Sequence, residues 1–106
     1  MTTDITNYTK IGQIPLTAEP SQQFQIVLNG QNCTIGVYQK DETVFVDLWV
    51  DSEPIFLGIS ALDRVGLKIS DYMNFIGQLW FEDKNGTQNP DYTGFSDRYT
   101  LYYGTK

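Results

Sequence analysis

The chain has 106 residues, 41% hydrophobic and 14% aromatic, with a formal net charge of −6 and no histidine. That length sets one domain with one modest core, and that apolar content argues for a folded chain rather than a disordered one. Seven scattered Lys and Arg leave no basic stripe for nucleic acid, and the acidic balance argues against binding an anionic membrane surface.

Residues 1–10 are polar and Thr-rich, and are expected to form a flexible arm ahead of a single β domain at 11–106. IGQIPL at 11–16 reads as extended, with Pro15 confining it to an edge or a strand end. QFQIVLNGQNCTIGVYQ at 23–39 holds a hairpin signal, Asn29-Gly30, because a type I′ turn needs positive φ at both central residues. A two-residue turn there pairs Leu28 with Gln31, Ile26 with Cys33 and Phe24 with Ile35. One face of that ribbon is then apolar and the other mostly amide, as a half-buried antiparallel pair requires. After a turn at 40–42, TVFVDLWV at 43–50 carries bulk on both sides. It is therefore a central strand, or its second face meets a partner. DSEP at 51–54 turns the chain into a strand at 55–59.

Ser60 and Asp63 stand at capping-box spacing, which predicts a short helical turn over 60–65 ended by Gly66. The stretch 68–76 is ambiguous. GQLWFED at 77–83 and RYTLYYG at 98–104 are the last strands. The expected fold is all-β: a small antiparallel sandwich or barrel of about seven strands with at most one short helical turn.

Chemistry is sparsely provided for. Without histidine there is no Ser-His or Cys-His nucleophile pair, and one cysteine makes no zinc set. Cys33 is expected to be a buried, inert thiol. The linker FEDKNGTQNPDYTGF at 81–95 has the acidic and amide content of a calcium loop but not its spacing. Placing Gly86 at the sixth position puts Phe81 at the first and Tyr92 at the twelfth, where acidic ligands are needed. A looser site on Asp83, Asn85 and Asp91 is the alternative to a plain strand connection, in which Asn85-Gly86 defines a turn. Asp47 and Glu53 are the only carboxylate pair suggested for glycoside hydrolysis. No enzyme activity, catalytic residue, metal or cofactor is expected.

The aromatics point elsewhere. Phe45, Trp49, Trp80, Tyr38, Tyr102 and Tyr103 exceed what one small core easily hides. Phe45, Trp49, Trp80 and Tyr102 are therefore candidates for an interface. The competing assignment is a second core layer in the other sheet of a sandwich.

With the strands placed, the chain resembles the small baseplate plug proteins of contractile-tailed phages, typified by a cyanophage baseplate plug. The likeness is carried by IPL (14–16), QQFQIVLNGQ (22–31), FVDLW (45–49), Gly58 and Gly66, GQLWFED (77–83) and NPDYTGFSDRYTLYY (89–103). One departure is that Phe95-Ser96 stands before Asp97-Arg98, where the family commonly has Leu-Gly. The resemblance implies a virion structural protein, made in the host cytoplasm and placed in the tail baseplate. It would be a plug at the centre of the hub, in symmetric copies, against hub, tail tube and spike proteins, with no specific nucleic acid or membrane partner. It also implies that Asp97 and Arg98 fix the final strand or cross to a neighbouring subunit. The alternative function is a free-standing β-sandwich module binding carbohydrate or peptide through exposed Trp and Tyr.

Overall fold

The computed structural model describes residues 5–70 and 73–106. Its strands are β1 Thr9–Ile14, β2 Ser21–Leu28, β3 Gln31–Lys40, β4 Thr43–Val50, β5 Glu53–Ser60, β6 Gln78–Asp83 and β7 Tyr99–Thr105. They form two antiparallel sheets, one of four strands in the order β2-β3-β4-β5 and one of three in the order β1-β7-β6. The expected all-β sandwich is what the chain forms.

Two-residue turns build the larger sheet as a meander. Asn29 and Gly30 take φ of 52° and 77°, and the ladder pairs Leu28 with Gln31, Ile26 with Cys33 and Phe24 with Ile35 as the alternation predicts. Asp51 and Ser52 repeat the left-handed geometry between β4 and β5, at φ of 50° and 70°, without a glycine. β4 lies between β3 and β5. Its even residues, Val44, Val46, Leu48 and Val50, are buried, whereas Phe45, Asp47 and Trp49 on the other face are half-buried. Cys33, Ile35 and Val37 of β3 join the even residues in the core. Leu79 and Phe81 of β6 and Leu101 and Tyr103 of β7 meet them from the smaller sheet. Burial pushes the Cys33 thiol up and keeps it protonated, outweighing the Leu28 backbone hydrogen bond that pulls the other way.

Two expectations are corrected. No helical turn forms over 60–65. Ser60 ends β5, Asp63 bridges Phe81 in parallel, and the amides of Arg64 and Leu67 donate to the carbonyls of Phe81 and Leu79, both at 2.8 Å. An open strand edge offers several ladder bonds at once, and a lone helical turn offers one for the same backbone ordering. Among the described residues the one helical turn is a 3₁₀ turn at Tyr92–Gly94, capped by Asp91 through the amide of Thr93. The second correction concerns the arm. Thr9 and Lys10 pair with Thr105 and Gly104, so order begins before residue 11; residues 1–4 of the expected arm lie outside the described residues.

Candidate interaction surfaces

The outward face of the four-stranded sheet carries an aromatic stripe around one carboxylate. Strand alternation sends Tyr38 out from β3 and Phe45, Asp47 and Trp49 out from β4. Tyr38 and Phe45 are directly paired across the ladder, and their rings stack at 5.9 Å between centroids. Trp49 stands between Thr34 and Pro54 on its two neighbours. Gly36 faces Asp47, and a β-carbon there would lie 3.6 Å from Asp47 and 3.8 Å from the Trp49 ring. Asp47 is held in place: its Oδ1 accepts from the Gly58 amide at 2.6 Å and the Tyr38 hydroxyl at 3.2 Å. Gly58 reaches it because β5 shifts register there and Gly58 takes φ of 67°. The Tyr38 phenol is pushed up, first by burial and then by the Asp47 charge. Val27 on β2 and Leu57 on β5 flank the stripe, 63% and 56% exposed.

Of the predicted interface residues, Phe45 and Trp49 lie here, half-buried. Trp80 does not offer a surface. It is 2% exposed, on the outer side of the three-stranded sheet, where its ring lies across Gly104. A β-carbon on Gly104 would come within 2.6 Å of Trp80 Cη2. The Trp80 indole donates to Glu82 at 2.8 Å. Lys10 Nζ reaches Glu82 at 3.2 Å and sits 3.9 Å above the Tyr102 ring, which tilts against Trp80 at 6.3 Å. Tyr102 is half-buried in this quartet. The sequence made Trp80 an interface candidate; it could not register that Gly104 would set bare backbone against the ring. Gly104→Ala should therefore cost about 2 kcal/mol through overpacking. A thermal melt measures the loss, and the displaced Trp80 should shift its fluorescence.

The acidic connection between β6 and β7 closes on itself. Arg98 Nε and Nη2 donate to the two carboxylate oxygens of Asp83 at 2.8 and 2.9 Å, in fork geometry. The amides of Asn85 and Gln88 donate to the same group, each at 2.9 Å. Arg64 bonds the carbonyls of Gly86 and Asp83. The turn at Asn85-Gly86 thus rests on the Asp83 carboxylate, since neither residue takes a positive φ. Arg98 is committed inside the subunit and ties the start of β7 to the end of β6, while Asp97 is exposed. Asp91 is engaged with Thr93 and Gln39. Among the described residues, no group of three or more His, Cys, Asp or Glu is placed to hold a metal ion. The sequence did contain a signal for this ion pair, opposite charges at the facing ends of two consecutive strands.

The Arg98 guanidinium holds the Asp83 carboxyl well below the usual carboxylate range; burial opposes it and the two amides assist. A depressed folded-state pKa gives stability that is complete above the unfolded value of about 3.9 and fades as pH falls toward the lower folded value. Melting temperature measured from pH 5 downward should fall through that window. Asp83→Asn should flatten this acid limb, and an unchanged limb would count against the pairing.

Residues 11–106 match the family described as cyanophage baseplate Pam3 plug gp18. The chain belongs to this family. No curated protein matches it. The match to the Pam3 plug family runs from within β1 through β7, so both sheets and the closed connection belong to it. The departure at Phe95-Ser96 also acquires a reason within this plug fold. Ser96 takes the left-handed backbone, φ 63°, that a glycine adopts freely. Its hydroxyl accepts from the Leu16 amide at 2.9 Å, a hydrogen bond that glycine could not make.

Proposed function

We propose that this chain is a structural subunit of a contractile phage tail baseplate, seated at the centre of the hub where the tail tube meets hub and spike. The family match over residues 11–106 carries the reading. The aromatic stripe supports it. A subunit that works by docking needs large, pre-positioned aromatics on a rigid frame, and Tyr38, Phe45 and Trp49 sit on adjacent strands with the carboxylate between them already bonded. Its neighbours would be hub, tube and spike proteins, and it would sit among them in symmetric copies in the virion. Cryo-electron microscopy of tails purified from infected cells tests this directly. The two-sheet fold is expected in density at the axial end of the tube. Tails whose baseplates lack the protein would overturn the reading. So would glycan-dependent quenching of Trp49 fluorescence in a free monomer, which is the signature of a carbohydrate module.

A further inference from the structure

Among the described residues the two sheets have four outer edges, and three are blunted. β1 carries Lys10 and a register shift between Lys10 and Gly12. β5 carries Glu53, Pro54 and two register shifts. β6 is covered by the segment that bonds through Arg64 and Leu67. These are the usual devices against edge-to-edge pairing. β2 has none of them. Its eight residues, SQQFQIVL, include no charge and no proline, and they pair with β3 without a break in register.

We propose that β2 is the seam through which two copies of this chain pair, antiparallel, to make one continuous eight-stranded sheet. In a two-residue hairpin the residues flanking the turn exchange both hydrogen bonds. Leu28, Ile26 and Phe24 therefore bond toward β3, and the amides and carbonyls of Val27, Gln25 and Gln23 aim outward. Those three residues are exposed, while Phe24 and Ile26 are only partly buried against the core. The strand can be matched to itself with Gln25 at the two-fold axis. With Gln25 opposite Gln25 of the second copy, Phe24 meets Ile26 on the core side and Gln23 meets Val27 on the outer side. Apolar then lies against apolar at the Phe24 and Ile26 pair on the core side. Each chain carries a net charge of −6, yet none of it lies on the seam, so like-charge repulsion does not act across the ladder. Pairing with β1, β5 or β6 of another copy meets a blunted edge, and self-pairing is what the edges leave open.

Sedimentation equilibrium of the pure protein, over a range of concentrations, tests the seam. The unsubstituted chain should form a dimer. Gln25→Pro removes an amide that β3 does not use, so the hairpin keeps its bonds, and it should raise the dimer dissociation constant about tenfold or more. Gln25→Lys alone and Gln25→Glu alone should each weaken the dimer, and an equal mixture of the two should restore it. That charge pair keeps the test valid should the proline variant fold poorly. A chain that stays monomeric throughout overturns the proposal, as does a dimer indifferent to all three substitutions. The inference deepens the self-association within the baseplate reading and fails separately from it: a monomer that still enters baseplates defeats the seam and leaves that reading standing.

Discussion

Leu48→Ala is expected to lower the free energy of unfolding by about 3–4 kcal/mol. Leu48 is fully buried on the inward face of β4, paired with Ile35 on one side and Phe56 on the other. Both flanking strands are fixed by tight turns, so the void cannot close by sliding one of them inward. The loss combines the transfer of the removed atoms with a cavity that persists. Against a total of about 5–15 kcal/mol for a domain of this kind, that is a large share. It should appear as a drop in melting temperature of about 15 °C. A drop of only a few degrees would mean that the two sheets are not packed against each other through this residue.

Trp49→Ala, one position further along the same strand, should do the reverse. Its side chain lies on the outward face, half-buried over Gly36, so truncation removes partial cover and leaves no enclosed void. The expected stability loss is about 1 kcal/mol. Assembly should suffer far more. If the stripe is the docking surface, losing its largest ring removes an anchor of the kind that dominates interfaces, and the variant should enter baseplates about tenfold less or worse. Quantitative mass spectrometry of purified tails, with the variant supplied in place of the original chain, measures the ratio of plug to tube protein. Normal incorporation would move the docking surface off the four-stranded sheet.

This contrast between neighbours was legible in the sequence, because strand alternation is local and the Asn29-Gly30 turn fixes the phase of the whole meander. β2 and β3 follow from it with their register, and β4 with its alternation. What was not legible depends on contacts between distant segments. The 60–65 stretch carries a helix-start pattern, but the open edge of β6 captures it as an extra extended segment. Trp80 reads as an outward aromatic, but Gly104, twenty-four positions away, gives it a bare backbone to lie on. Asp83 and Arg98 stand as opposite charges at facing strand ends, but the two loop amides that bond the same carboxylate reach it only when the connection folds back. Thr9 and Lys10 read as part of a polar arm, and only the edge of β7 makes them strand residues.

The order of strands in the smaller sheet has a bearing on synthesis. β7 is its middle strand and bonds both β1 and β6, yet it is the last of the seven to leave the ribosome. The four-stranded meander can form as it emerges, from neighbours in sequence, but its greasy face stays uncovered until residues near 100 arrive to join the two waiting outer strands. Closing that long loop is slow for this reason. A transcript cut short before Tyr99 would therefore yield sticky half-folded material for the host's chaperones and proteases, not a shortened part able to compete for a place in the particle.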